Sequence, residues 1–128
     1  CIYHPLVLTS HGLVLGLQAS DGNYSKFLGI PYAKVDRDNP FGVNSGPFED
    51  VYRAFDDSAV CPQRDLNSDV IGKLDCLHVN LYVPRLASSR NLLPVMIWIH
   101  GGGYSSGNSN RQFYVALLTF VGHLNSSI

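Results

Sequence analysis

The chain has 128 residues, of which 45% are hydrophobic and 15% charged, and its formal net charge is −1. This length allows one domain with a hydrophobic core, and the near-neutral charge argues against nucleic acid as a partner. No apolar stretch reaches the roughly 18 residues that a membrane-spanning helix needs, so no membrane span is expected. The chain begins at Cys1 without an initiator Met, which indicates a removed leader or a piece of a longer protein.

The first third of the chain predicts an antiparallel β-meander. Residues 5–18 favour two strands joined by a Ser-His-Gly turn at residues 10–12. The Asp-Gly-Asn run at residues 21–23 predicts a hairpin turn, because these residue types tolerate the positive φ angles of a tight turn. A third strand is expected over residues 25–33, ended by Pro31, before a polar loop.

The rest of the chain predicts two further strands of different kinds. Residues 77–83 alternate apolar and polar side chains, which is typical of a strand with its Leu and Val face buried. Residues 94–99 are apolar on both faces, as in a central strand that is covered on both sides, with Trp98 in the core. A short turn or helix is expected within residues 48–58, an irregular polar stretch over 63–73, and a helix over 112–121. The sequence predicts too few helices to cover both faces of the sheet, which again indicates a piece of a longer protein.

A glycine-rich segment follows the apolar run, and its sequence is compatible with several kinds of functional site. Residues 103–107 read GYSSG, the G-x-S-x-G pattern of a nucleophile elbow around Ser105. No Asp or Glu follows Ser105 and His123 is the only later histidine, although the upstream carboxylates Asp69 and Asp75 leave other triad orders open. A phosphate-binding loop fits poorly, since the spacing is G-x-G-x-x-x-G with no P-loop lysine. A plain glycine-rich turn also remains open.

The fourth interpretation is an oxyanion hole. His100, Gly101, Gly102 and Gly103 spell HGGG directly after the apolar strand, the loop that presents backbone N–H groups in lipases and esterases. Glycine suits this task because neighbouring amides must point into one cavity, with no side chain obstructing the substrate carbonyl. His100 either orients this loop or is a strand-end histidine with a structural role. On this interpretation Ser105 is a loop residue.

Four motifs give the chain a family resemblance. Residues 27–33 (FLGIPYA), 61–63 (CPQ), 75–84 (DCLHVNLYVP) and 94–104 (PVMIWIHGGGY) occur in the order and at about the spacing of the type-B carboxylesterase and cholinesterase family. The chain resembles this family over roughly residues 6–110, with a finer likeness to insect members, including the juvenile-hormone-esterase and odorant-esterase groups.

The resemblance implies a fold, a site and a disulfide. It implies an α/β-hydrolase fold (class α/β) in which residues 1–128 are the N-terminal portion of a single larger domain. Gly102 and Gly103 would supply two oxyanion N–H groups, supported by His100 and Gly101, while the catalytic serine, acid and histidine would all lie beyond this chain. Cys61 and Cys76 would form a disulfide that closes a loop of about 15 residues, leaving Cys1 unpaired. Two buried thiols are the other interpretation of this pair.

The chain departs from the family pattern at three places. Leu74 stands where the family usually has Glu, and Pro40 stands where it usually has Arg. Those two charges typically pair, so their joint absence leaves no buried charge without a partner. Residues 115–128 match nothing in the family and are expected to be a divergent tail.

Three functions remain open on the sequence. The first is a piece of a serine carboxylesterase. The full-length enzyme would hydrolyse small carboxylic esters without cofactor or metal, whereas the piece alone would be inactive. The second is a non-catalytic cholinesterase-like adhesion or binding domain. The third is a small β-rich binding domain complete in itself. The N-x-S patterns at Asn23 and Asn125 indicate glycosylation and a secreted protein.

Overall fold

The computed structural model describes residues 3–39 and 46–109, which form β-strands and loops. The strands are β1 Leu6–Thr9, β2 Gly12–Leu15, β3 Leu17–Gln18, β4 Tyr24–Pro31, β5 Tyr52–Arg53, β6 Gln63–Arg64, β7 Val70–Ile71 and β8 His78–Pro84. They make sheets in the orders β1-β2-β5, β3-β4-β8 and β6-β7. All pairs are antiparallel except β2 with β5, which is parallel. Among the residues described, no helix is long and apolar enough to span a membrane.

The predicted meander is confirmed. β1 and β2 pair around the turn at Ser10 and His11, and β3 pairs with β4 around residues 21–23. In that second turn the Gly22 N–H donates to the Ala19 carbonyl at 2.9 Å, while the Asp21 carboxylate accepts from the Asn23 N–H at 3.0 Å. Short-range turn chemistry therefore accounts for the first part of the fold.

The core lies between the first two sheets. Val14 of β2, Phe27 of β4 and Ala54 are buried and in contact, with exposed fractions of 1%, 5% and 0%. Ile30, Phe48 and Tyr52 pack against them while partly exposed. The predicted turn or helix over residues 48–58 is wrong, because β5 forms there by pairing with β2.

The expected burial of β8 is also wrong. The strand forms and pairs with β4, but Val79, Leu81 and Val83 remain 37%, 44% and 36% exposed, while the alternate residues His78, Asn80 and Tyr82 are partly buried. Alternation along a strand marks two faces, and packing decides which of them lies inside. Leu81 lies opposite the buried Phe27 of β4, so the aliphatic face of β8 is on the core side of the sheet, but the described residues cover it only in part.

The central strand expected at residues 94–99 does not form among the residues described. The segment pairs with no described strand, Ile97 is 81% exposed and Trp98, expected in the core, is 45% exposed. A strand needs a neighbour to take its backbone hydrogen bonds. The predicted helix over residues 112–121, the departure at Pro40 and the predicted tail over residues 115–128 lie outside the described residues.

Candidate functional site

The glycine loop, defined here as residues 100–107, folds around the carbonyl oxygen of Gly102. The N–H groups of Ser105 and Ser106 both donate to that oxygen at 3.2 Å, and their hydroxyls donate to it at 3.3 and 3.2 Å. One carbonyl thus takes the internal hydrogen bonds of the loop. The hydrogen bonds described across residues 3–39 and 46–109 leave the N–H groups of Gly102 and Gly103 unused.

Gly102 adopts a backbone conformation that requires glycine. Its φ angle is +132°, and a Cβ atom added there would collide with the Ser106 carbonyl oxygen. Gly103 has a φ of +60°, although a Cβ there would meet open space. Consecutive positive φ angles turn the backbone sharply directly after the apolar segment. Substitution at Gly102 would therefore displace the two glycine amides together.

The end of the glycine loop touches its beginning. His100 Nδ1 lies 2.7 Å from the Gly101 carbonyl oxygen, a hydrogen bond when this nitrogen carries the proton. A Cβ added at Gly107 would lie 2.5 Å from that same oxygen and 2.6 Å from His100 Nδ1. Only a residue without a side chain fits so close to the Gly101 carbonyl and the His100 ring. His100, for which the sequence left two roles open, thus takes part in the contact that closes the loop.

A glutamine from an earlier part of the chain binds the loop. The Gln63 side chain donates from Nε2 to the Gly107 carbonyl at 2.9 Å and accepts from the Gly107 N–H at Oε1 at 2.8 Å. From the sequence, Gln63 was the last residue of the CPQ motif and the first of a stretch expected to be irregular, which instead holds the paired strands β6 and β7. No role was predicted for it. Its position two residues after a disulfide cysteine was the available signal.

The disulfide that the resemblance implies is present in the structure. Cys61 and Cys76 are joined, with their Cα atoms 5.0 Å apart. Between them, β6 and β7 form a small hairpin that contains Gln63. The disulfide therefore closes the segment from which the glutamine reaches the glycine loop.

The structure does not assemble a nucleophile site around Ser105 from the residues it describes. The Ser105 hydroxyl donates to Gly102 within its own loop. Of the upstream acids, Asp75 lies 3.8 Å from His78 Nε2, and the backbone of Asp69 pairs with Asp65. An activated serine needs a base within hydrogen-bonding distance, and no described histidine makes that contact with Ser105.

The remaining predicted positions fall at the surface or outside the described residues. Asn23 is exposed at the tip of the β3–β4 hairpin, and its carbonyl accepts a hydrogen bond from the Arg85 N–H at 2.9 Å. Leu74, which stands where the family that the chain resembles usually has Glu, is 44% exposed. Asn125 and Cys1 are not among the described residues.

Comparison with known proteins places the chain among esterases. A sequence profile described as the carboxylesterase family matches residues 3–123, a span that runs past residue 115, where the divergent tail was expected to begin. The chain is 36% identical to juvenile hormone esterase of Tribolium castaneum in an alignment that covers 88% of this chain. It is 37% identical to para-nitrobenzyl esterase of Bacillus subtilis (strain 168) in an alignment that covers 87% of this chain.

The backbone gives the same result. A solved structure of PNB esterase superposes with a TM-score of 0.69 and 34% sequence identity over 88% of this chain. The chain spans 21% of the length of the Tribolium relative, 24% of the Bacillus relative and 23% of that solved chain. Sequence similarity and backbone superposition both indicate the α/β-hydrolase fold of these esterases, and this chain is a strand-rich segment of that fold. The chain therefore belongs to the carboxylesterase family, with insect esterases among its relatives.

Proposed function

We propose that residues 1–128 are the N-terminal portion of a single-domain serine carboxylesterase, and that they carry its oxyanion loop. The observation that carries this proposal is the conformation of the glycine loop, in which Gly102 and Gly103 take positive φ angles and keep their N–H groups unused among the described residues. Family membership supports the reaction class, which is hydrolysis of a carboxylic ester.

The chemistry follows from the charge that develops during acyl transfer. Attack on an ester carbonyl turns its oxygen into an oxyanion, and fixed N–H donors stabilise that oxygen more than they stabilise the ground-state carbonyl. Each such donor contributes on the order of 3 kcal/mol to the transition state. Gly102 and Gly103 supply two donors, and the third is the N–H of the residue after the nucleophile, in the full-length protein. This mechanism uses an acyl-enzyme and requires neither metal nor organic cofactor.

The chain alone is inactive on this proposal. Ser105, whose hydroxyl donates to Gly102, serves as a structural residue of the loop. An oxyanion hole polarises a carbonyl but cannot form the acyl-enzyme without a nucleophile and its base. The acid, the histidine and the nucleophilic serine belong to the remainder of the full-length protein.

The test compares three variants of the full-length protein. Gly102→Val should lower kcat by about a hundredfold or more, because it misplaces an oxyanion donor. Ser105→Ala should leave kcat within about threefold, since it removes only one hydrogen bond within the loop. Gly46→Ala is the matched control, because a Cβ at Gly46 meets nothing within 4 Å.

Labelling with an organophosphate ester identifies the nucleophile directly. Stoichiometric label on a serine outside residues 1–128 supports the proposal. Label on Ser105, in the full-length protein or in this chain, overturns it. A well-folded full-length protein that takes no label would instead indicate the non-catalytic adhesion or binding domain.

Secretion and glycosylation belong to the same proposal. Asn23 is exposed at a hairpin tip, where a glycan would meet no packed surface. The partner is a small-molecule ester, and the net charge of −1 offers nothing to attract nucleic acid. Expression through a secretory pathway should add a glycan to the peptide that carries Asn23, and Asn23→Gln should abolish it. An unmodified Asn23 peptide in secreted material would contradict this assignment.

A further inference from the structure

Gln63 links the disulfide-closed hairpin to the glycine loop through a matched pair of hydrogen bonds. Its carboxamide donates to the Gly107 carbonyl at 2.9 Å and accepts from the Gly107 N–H at 2.8 Å. Both backbone groups of Gly107 are thus satisfied by one side chain that lies 44 residues earlier. Only an uncharged group with one donor and one acceptor side by side makes this pair.

Gln63 is itself held on both sides. Its Nε2 also donates to the Cys61 carbonyl at 3.2 Å, and its backbone pairs with Ile71 in the β6–β7 hairpin. The Cys61–Cys76 disulfide fixes the base of that hairpin. A side chain on such a support gives Gly107 a defined position.

Holding Gly107 also holds the peptide that joins Gly101 to Gly102. Gly107 packs so close to Gly101 O and His100 Nδ1 that an added Cβ would lie 2.5 and 2.6 Å from them. Gly102 follows directly, and the glycine loop is otherwise exposed at residues 101–106. A shift of Gly107 would therefore be transmitted to the amides of Gly102 and Gly103.

We infer that Gln63 is a positioning residue for the oxyanion loop, acting through Gly107 without touching the substrate. This inference rests on the proposed function, because it takes Gly102 and Gly103 as the oxyanion donors. Misplacement of a reacting group by about 1 Å through a distant substitution costs up to a hundredfold in rate. Loss of Gln63 should thus affect the transition state more than substrate binding.

The experiment measures steady-state ester hydrolysis by the full-length enzyme. Gln63→Ala should lower kcat by about tenfold to a hundredfold with KM changed less than about threefold. Its affinity for a boronic acid, which mimics the tetrahedral intermediate, should fall by the same factor as kcat/KM. Gln18→Ala is the matched control, since that glutamine bonds to the hairpin residue Gly22 and should leave these values unchanged.

A second variant separates positioning from simple destabilisation. Gln63→Glu retains the acceptor for the Gly107 N–H, but its carboxylate cannot donate to the Gly107 carbonyl. Protonation of that carboxyl restores a donor beside an acceptor, so the activity of Gln63→Glu relative to the wild type should rise as the pH falls. Destabilisation would appear as a lower melting temperature, so the two activities are compared at temperatures where both forms are fully folded.

The outcomes distinguish this inference from the function on which it rests. If Gly102→Val abolishes activity and Gln63→Ala leaves kcat and boronic acid affinity unchanged, the inference is overturned and the oxyanion loop stands. If Gln63→Glu shows no relative recovery at low pH, the positioning role is equally overturned. If Gly102→Val itself is fully active, the proposed function fails first.

Discussion

The side-chain carbonyl of Asn80 accepts a hydrogen bond from the backbone N–H of Gly29 at 2.8 Å, across 51 residues of sequence. Gly29 lies where β4 departs from regular pairing with β8, between Phe27 and Ile30. On its other side, the Tyr52 hydroxyl donates to the Gly29 carbonyl at 2.6 Å. Three strands thus meet at one buried residue, and the FLGIPYA and DCLHVNLYVP motifs are connected by its hydrogen bonds.

Removing the Asn80 acceptor should loosen β4 locally. Asn80→Leu leaves the buried Gly29 N–H unsatisfied, which costs about 1–3 kcal/mol. Amide hydrogen exchange of the peptide that carries Gly29 should become roughly tenfold to a hundredfold faster. Asn80→Asp is the control, because its carboxylate keeps the acceptor and should retain most of the protection. Equal exchange in the leucine variant and the wild type would contradict this role.

Tyr52 should make the fold sensitive to alkaline pH. Burial raises the pKa of the Tyr52 phenol, and the charges of Asp75 and Asp56 raise it further. The unfolded chain therefore loses this proton first, at a pH near 10. The contribution of Tyr52 to stability is complete below about pH 10 and is lost as the pH rises through its raised pKa.

The comparison of Tyr52→Phe with the wild type tests this dependence. The substitution should lower the midpoint of urea unfolding at neutral pH, because the Gly29 carbonyl loses its donor at 2.6 Å. It should also flatten the decline of that midpoint above about pH 10. Tyr3→Phe, at a tyrosine that is 66% exposed, is the control. Parallel pH profiles for wild type and Tyr52→Phe would show that the phenol is not the responsible group.

The disulfide should be both specific and stabilising. Without reduction, a tryptic peptide map should show Cys61 linked to Cys76, with Cys1 alone. Replacing both cysteines by Ala should lower the free energy of unfolding by about 3 kcal/mol, since the bond closes a loop of about 15 residues in the unfolded chain. Cys1→Ser should have no such effect. A bond between Cys1 and either of the other cysteines would refute the assignment.

The 128-residue chain should associate with itself in solution. Residues 95, 97 and 99 expose Val, Ile and Ile side chains along one segment outside the described strands, and β8 partly exposes its aliphatic face. Uncovered apolar edges of this kind promote association. Light scattering after size-exclusion chromatography should show assemblies, and Lys at all three positions should increase the monomer fraction.

A single surface substitution provides the control for that measurement. Leu66 is fully exposed in the loop between β6 and β7, away from both apolar surfaces in the sequence. Leu66→Lys should leave the assemblies unchanged. A wild-type chain that stays monomeric at about 100 μM, well within the range where exposed apolar surface drives aggregation, would contradict the prediction.

Features that depend on neighbouring residues were predicted correctly from the sequence. The hairpin at residues 21–23 formed as expected, because Asp21 and Gly22 close the turn with contacts a few residues away. The four motifs identified the family, since each is a continuous run and their order needs no knowledge of packing. The HGGG letters also marked the segment where Gly102 adopts its positive φ.

Features that depend on distant partners could not be predicted in the same way. Alternation in residues 77–83 predicted a strand, but the burial of its aliphatic face depends on which distant elements cover that face, and Leu81 stays 44% exposed although it lies opposite the buried Phe27. β5 has only two residues and exists because Val14 and Leu15 pair with it.

The sequence by itself determined the family of this protein, its first hairpins and the glycine loop as the candidate site. Only the tertiary structure decided that Gln63 binds Gly107, because the two residues lie 44 positions apart and nothing in either local pattern requires the other. It also decided that residues 94–99 form no strand with the other described segments, since an apolar run specifies a strand only where another strand accepts its hydrogen bonds. Local patterns act over a few residues, whereas strand pairing and side-chain clamps depend on which distant segments the fold brings together.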